Sequence, residues 1–400
     1  MLHAGRWWLG PICLAVFGSF AGDKPAASEH KDEIVLGMST ALSGPAADLG
    51  GKMLEGVNAA LAEVERGGGV HGRHVRLIAL DDGYEPERTG PNVRKLVAED
   101  HVLAVVGNVG TPTAVVALQI TNANRTPFYG AFTGAGLLRQ TPPEHYVFNY
   151  RASYAEEIRT MIDALVDHAR FSCEEIAFVT QRDACGDAGF AGGIAALKAH
   201  GLKDESSILH VRYERNTVAV EEGLASILIA ETAPRAVILV GAYRPCAEFI
   251  RRARESGLDA LFLNVSFVSS ASLLRELGDK GEGVIITQVV PYFDGDLPIA
   301  KEYRAALAAS APNSAPGFIS LEGYISTRIL CRALGAIDAA PDRESLSRAL
   351  EGLGSFDLGL GQPLNLSSDE HQACHRVWPT VIHGGKVVPF EWSSLDRRSQ

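Results

Sequence analysis

Three loops expected at strand ends carry the residues best suited to receive a ligand: Ala41-Leu42-Ser43-Gly44-Pro45, Gly107-Asn108-Val109-Gly110-Thr111-Pro112-Thr113 and Ala131-Phe132-Thr133-Gly134-Ala135. Small and hydroxyl side chains leave backbone N–H groups accessible there. Each loop is expected to precede a helix, whose N-terminal dipole favours a carboxylate or another anion. One such loop is an ordinary N-cap or βα turn; three in successive units open onto one face. Other spacings point to less. His371, Cys374 and His375 in the run DEHQACH have helical metal-ligand spacing, but no second ligand group of matching quality accompanies them, and no metal is expected. Asp81-Asp82 reads as a capping pair at a strand end rather than a general-acid pair. Gly67, Gly69 and Gly72 satisfy G-x-G-x-x-G by letter, yet they follow a helix and precede a strand, the reverse of the order that places pyrophosphate on a helix N-terminus. With no phosphate loop, no H-E-x-x-H and no G-x-S-x-G elbow, catalysis lacks a nominated nucleophile and no cofactor is expected.

The elements that must hold these loops form an alternating series. Glu33 to Met38 reads as a strand, and Met53, Val57, Ala60, Leu61 and Val64 mark one stripe of a helix that Gly67-Gly68-Gly69 ends. Strands at Val75 to Leu80, Ala104 to Gly107 and Pro127 to Gly130 alternate with helices at Asn92 to Glu99 and Thr113 to Ala123. After Val147-Phe148-Asn149-Tyr150-Arg151, an extended crossover without helical period, a second series begins. It has helices at 154–169, 188–200, 218–231 and 245–256 and strands at 176–180, 207–213, 236–240 and 261–264. A β-prone run at 283–290 stops at Pro291, and helices follow at 299–309 and 321–337. Such a series predicts an α/β protein of two parallel-sheet lobes, with a cleft between them at the strand C-termini.

Composition narrows the partners. The 400 residues carry 37 Lys and Arg against 48 Asp and Glu, a net charge of −11 that repels phosphate backbones and argues against nucleic acid. Residues 1–21 read as a cleavable secretory signal: Arg6, an apolar stretch from Trp7 to Phe20, and the small-x-small site Ser19-Phe20-Ala21. The stretch falls short of the roughly 20 residues a bilayer span requires, and Gly10-Pro11 interrupts it, so no membrane insertion is expected after cleavage. A polar linker at 22–32 follows. Without Cys13, five cysteines remain, Cys173, Cys185, Cys246, Cys331 and Cys374, an odd number that leaves at least one thiol free or paired with another chain. A Cys185–Cys246 disulfide stays open.

Several segments, in this order and spacing, resemble the type I periplasmic solute-binding proteins of branched-chain amino acid and amide ABC transporters. They are Ile34-Val35-Leu36-Gly37 with Leu42-Ser43-Gly44-Pro45, Ala79-Leu80-Asp81-Asp82-Gly83, Val105-Val106-Gly107, Pro127-Phe128-Tyr129-Gly130, Gln181-Arg182-Asp183-Ala184-Cys185-Gly186, Gly241-Ala242-Tyr243 and Phe318 to Tyr324. The resemblance covers about residues 33 to 385. It implies two lobes joined by a three-segment hinge, lobe 1 at 33–150 plus about 290–362 and lobe 2 at 151–289 plus about 363–400. It also implies closure on a small solute without catalysis, delivery to an inner-membrane ABC permease, a periplasmic location and a monomer. A ligand-sensing subunit of a signalling receptor is the alternative, since the same fold serves both. By resemblance the ligand-binding residues are Ser43, Thr111, Phe132, Thr133, Gly134, Cys185, Tyr243 and Ser266. A ligand carboxylate would meet Thr111 and the 132–134 loop, Cys185 stands where an aromatic is usual, and Ser266 falls at or near the family's acidic partner for an ammonium. A serine alone does not offset the desolvation of an ammonium. The expected ligand is therefore a small amino-acid-like carboxylate or amide with no mandatory ammonium, partly apolar or aromatic, unless Asp183 supplies the missing acid.

Overall fold

The computed structural model describes residues 33–399; the signal expected at 1–21, with Cys13, and the linker at 22–32 lie outside the described residues. The first series comprises β1 (Glu33–Thr40), α1 (Ala47–Arg66), β2 (His74–Asp81), α2 (Pro86–Ala98), β3 (Ala104–Val106), α3 (Thr111–Ala123), β4 (Phe128–Tyr129) and β5 (Val147–Phe148). Its strands pair in parallel in the order β2-β1-β3-β4-β5. Apolar residues run almost unbroken through β1 and β3 because helices cover both faces of a parallel sheet. On one face Val93, Leu96, Val105, Ala114 and Phe128 make a separate small core; the core on the other face continues into the second sheet.

The second series comprises α4 (Tyr154–Asp167), β6 (Ile176–Gln181), α5 (Ala184–Ala199), β7 (His210–Tyr213), α6 (Glu221–Leu228), β8 (Ala236–Val240), α7 (Tyr243–Glu255), β9 (Leu261–Asn264), α8 (Ser270–Leu277) and β10 (Ile285–Gln288). Then come α9 (Pro298–Ser310), α10 (Phe318–Leu334), α11 (Arg343–Glu351), the hairpin β11 (Gly354–Phe356) and β12 (Leu364–Leu366), and the hairpin β13 (Trp378–His383) and β14 (Lys386–Pro389). The second sheet runs β14-β13-β10-β9-β8-β6-β7. It is parallel from β7 to β10, but β13 and β14 add antiparallel, a departure from the wholly parallel expectation.

The chain passes between the two sheets three times, through residues 149–153, 289–297 and 367–377. The return brings α10 onto α1 at very close range: a Cβ on Gly56 would lie 1.9 Å from the Ser320 carbonyl oxygen. The three crossings are tied to one another. Asn149 N–H donates to the His371 carbonyl at 2.7 Å, Cys374 N–H to the Tyr150 carbonyl at 2.8 Å, and the buried Tyr150 hydroxyl to the Val289 carbonyl at 3.0 Å.

Some local expectations change. Helix α2 starts at Pro86, ahead of the predicted Asn92, because proline suits the first helical turn, where its missing N–H is no loss. The helix expected at 218–231 shrinks to Glu221–Leu228. The loop at 131–135 leads only into a short 3-10 turn at Gly136–Leu138, so it has no α-helix dipole behind it. His371, Cys374 and His375 do not lie on a helix: their backbone pairs with the 149–150 crossing, His371 stacks on Phe148 at 4.0 Å, and the metal-ligand spacing is broken. All five described cysteines are free, which closes the Cys185–Cys246 disulfide question.

Candidate functional site

Each loop at the C-terminal end of the first sheet is fixed by local hydrogen bonding. Asp81 accepts from Leu42 N–H at 2.9 Å, Ser43 N–H at 3.1 Å and Ser43 Oγ at 2.5 Å, with Arg88 at 2.7 Å. Burial opposes its charge, but these donors outweigh it and hold the carboxyl far below its usual range. Asp82 accepts from Ser39, Tyr84 N–H and Thr89, so the acidic pair caps the strand end as expected. In the second loop Gly110 has φ +90, and a Cβ there would fall 2.0 Å from the Tyr84 ring. Only glycine lets the chain turn there and set Thr111 at the start of α3. Thr111 Oγ1 then meets Thr133 Oγ1 at 2.7 Å, both fully buried, which joins the second loop to the third.

The second sheet brings its own strand ends against this pair. Tyr154 N–H donates to the Gly134 carbonyl at 2.7 Å, and Cys185 Sγ lies 3.8 Å from the Tyr154 hydroxyl. Gln181 donates to the Tyr84 hydroxyl at 2.9 Å across the cleft. Phe267 packs on Phe132 at 5.5 Å and on Tyr84 at 5.9 Å. Burial pushes the Tyr84 and Tyr154 phenols well above their ordinary value, so both stay neutral. Burial, with Asp183 nearby, pushes the Cys185 thiol up to about 12, which leaves it protonated and a poor nucleophile.

Charge enters from the crossing at 149–153. Arg151, 1% exposed, lies over the Phe132 ring at 4.9 Å and the Tyr154 ring at 5.8 Å. It hydrogen-bonds Ser266 Oγ and meets Glu157 at 3.1 Å and Glu322 at 3.5 Å. Burial works against its charge; Glu322 and Glu157 outweigh burial and hold the guanidinium above its ordinary value. Glu157 also accepts from Ser266 N–H at 2.8 Å, Ser266 Oγ at 2.9 Å and Thr287 Oγ1 at 2.6 Å. Burial pushes Glu322 up to about 7 against the pull of Arg151. Arg139, driven down to about 10 by burial and by Arg151, donates to the Thr133, Ala135 and Arg151 carbonyls.

Two grooves flank this centre. One of about 600 Å³ reaches Ser266 between Gln288, Tyr292 and Phe318, and another of about 700 Å³ runs past Gly134, Glu156 and Asp187. Ion pairs cross between the sheets at the rim, Asp48 with Arg275 and Glu85 with Arg215 at 2.7 Å, and hydrogen bonds from Ser272 to Asp48 and from Asn216 to Glu85 at 2.7 Å accompany them.

Of the residues singled out from sequence, Thr111, Phe132, Thr133, Gly134, Cys185 and Ser266 converge on one buried cluster. Ser43 stands apart, exposed and bound to Asp81, and Tyr243 begins α7 near the rim groups Asp48 and Arg275. Asp183 caps α5 through Cys185 N–H and accepts from Gln181, so it does not supply a free acid. Sequence reading missed Tyr84, Arg151, Tyr154, Glu157, Phe267 and Glu322. A polar signal was present for two of them: Arg151 stands in an otherwise uncharged crossing, and Glu322 sits among apolar residues in FISLEGY.

A family model described as periplasmic binding protein matches residues 33–386. The crystal structure of a possible leucine/isoleucine/valine-binding protein from Rhodopirellula baltica SH 1 is 49% identical, with a TM-score of 0.89, covering 92% of this chain and 99% of that one. The leucine-, isoleucine-, valine-, threonine- and alanine-binding protein of Pseudomonas aeruginosa is 24% identical over 349 residues, 85% of this chain and 86% of its own. An R. palustris ABC-transporter solute-binding protein in complex with benzoate shares the fold at 19% identity and a TM-score of 0.77, covering 89% of this chain and 95% of that one.

Proposed function

The chain belongs to the periplasmic binding protein family, and from that premise we propose that it captures a small solute between its two sheets, in the periplasm, and hands it unchanged to an inner-membrane ABC permease. The observation that carries this reading is the closed cluster in which Thr111 and Thr133 of one sheet face Cys185 and Tyr154 of the other, with Tyr84 bridged to Gln181. Hydroxyls, loop amides and aromatic rings grip a solute without offering an activated nucleophile, since the Cys185 thiol and both phenols are held neutral. In this reading residues 33–150 with about 290–362 form one jaw, and 151–289 with about 363–400 form the other, acting as a monomer. Ligand contacts come from Thr111, Phe132, Thr133, Gly134, Cys185 and Ser266, with Ser43 and Tyr243 at the entrance.

The ligand is a small carboxylate or amide, partly apolar. Amino-acid binding by the Pseudomonas relative and a benzoate complex in the R. palustris protein both fit a carboxylate in such a cleft. A thermal-shift and small-angle scattering screen of the mature chain against amino acids, aliphatic amides and aromatic acids tests this. A binder present at a hundredfold its Kd should add about 2.7 kcal/mol of stability and compact the particle. Unchanged scattering and stability across the whole library, or conversion of any compound to product, overturns it.

A further inference from the structure

The carboxylate nearest the centre is already saturated. A carboxylate offers about four acceptor sites. Those of Glu157 are taken by Arg151 and Ser266 Oγ on one oxygen and by Ser266 N–H and Thr287 Oγ1 on the other. Ser266, the residue that stands at or near the position of an ammonium-binding acid, is thus a spacer between Glu157 and the chain's own Arg151. The positive charge is built in.

Arg151 has donors to spare. Its Nε and Nη1 have no hydrogen-bond acceptor among the described residues, although the side chain is 1% exposed and Glu322 lies 3.5 Å from Nη1 as an ion pair. A buried donor left unmatched costs about 1–3 kcal/mol, so these N–H groups favour an acceptor. The guanidinium lies over Phe132 and Tyr154, the rings that wall the cluster containing Thr111 and Thr133. The centre therefore presents donors where an ammonium would need acceptors.

We infer, on the solute-binding reading above, that Arg151 receives an acceptor oxygen of the bound solute and takes the place of its ammonium, so the protein selects organic acids without an amino group. Tyr84, Phe132, Tyr154 and Phe267 suit an apolar or aromatic body on such an acid. An oxygen opposite Arg151 accepts from Nε or from Nη1 singly, because these two N–H groups diverge and Nη2, the arm with which each would form a fork, is committed to Glu157 and Ser266.

Calorimetry on the mature chain with matched carbon skeletons tests the inference: leucine, ketoleucine and isocaproate, then phenylalanine, phenylpyruvate and hydrocinnamate. In each set the acid or oxo acid is expected to bind at least about tenfold more tightly than the amino acid, because a misfit polar group in a buried site is strongly rejected. Arg151→Lys, checked for folding by circular dichroism, should weaken the acids at least about tenfold. Arg215→Ala, a rim variant that leaves Arg151 and its partners untouched, should keep the acid preference in place. The inference is overturned if the amino acid equals or exceeds its acid, if folded Arg151→Lys binds acids unchanged, or if Arg215→Ala erases the preference as fully as Arg151→Lys. Retention of neutral amides alone also overturns it while leaving solute capture standing. Absence of any solute-driven closure removes solute capture itself.

Discussion

At the rim of the cleft Arg215 meets Glu85 at 2.7 Å with side chains 21% and 37% exposed, whereas at its centre Arg151 and Glu157, 3.1 Å apart, are 1% and 0% exposed. The pairs share chemistry and differ in solvent. Near water an ion pair contributes about 0–1 kcal/mol and weakens with salt. Removing one member of a buried pair leaves an uncompensated charge and costs about 3–5 kcal/mol. The rim is therefore expected to contribute little and to respond to salt, while the centre is expected to decide whether the cluster forms and, on the proposed reading, what it accepts.

The largest effect should come from breaking the centre. Arg151→Met is expected to lose about 3–5 kcal/mol in urea unfolding, and a loss below about 1 kcal/mol would erase the distinction from the rim. Glu322 sharpens it through pH. Burial raises its pKa from 4.5 to about 7, opposed by Arg151 and Arg139 and reinforced by Glu157. Between those values the folded protein holds a proton that the unfolded chain has released, so stability should fall as pH rises from about 4.5 to about 7 and level off above. Glu322→Gln should remove that fall, up to roughly 3 kcal/mol, in a pH series of unfolding curves. Gly110→Ala, which drives a Cβ into the Tyr84 ring from a positive φ, should cost roughly 1–3 kcal/mol and weaken solute binding in calorimetry. Arg215→Ala comes last: a change of about 0.2–1 kcal/mol, smaller still in high salt, read by thermal unfolding at two ionic strengths.

Sequence periodicity was enough for the scaffold. The strands at 236–240 and 261–264 fall where β-branched and apolar runs place them, since a parallel strand covered on both faces needs little else. Short polar helices were harder. Helix α8 opens with Ser270-Ala271-Ser272 and α11 carries three charges in its first six residues, so the apolar stripe of each, Leu273, Leu274 and Leu277 or Leu346 and Leu350, is short, and α7 and α10 supply the packing that makes it a helix. The site was half legible. Thr111 and Thr133 belong to loops whose composition betrays them, but their mutual contact is made in space. The carboxylate that stands against Ser266 comes from α4 as Glu157, 109 residues away along the chain, and no local motif records that approach. DEHQACH misled for the opposite reason: its spacing is real, but its backbone hydrogen bonds are committed to the neighbouring crossing.

Tyr150 gives its carbonyl to one neighbouring connector and its hydroxyl to the other, while itself forming the third. Three cords knotted at a single point cannot slide past one another. Any swing of the halves would have to bend all three together or first part the bonds that knot them.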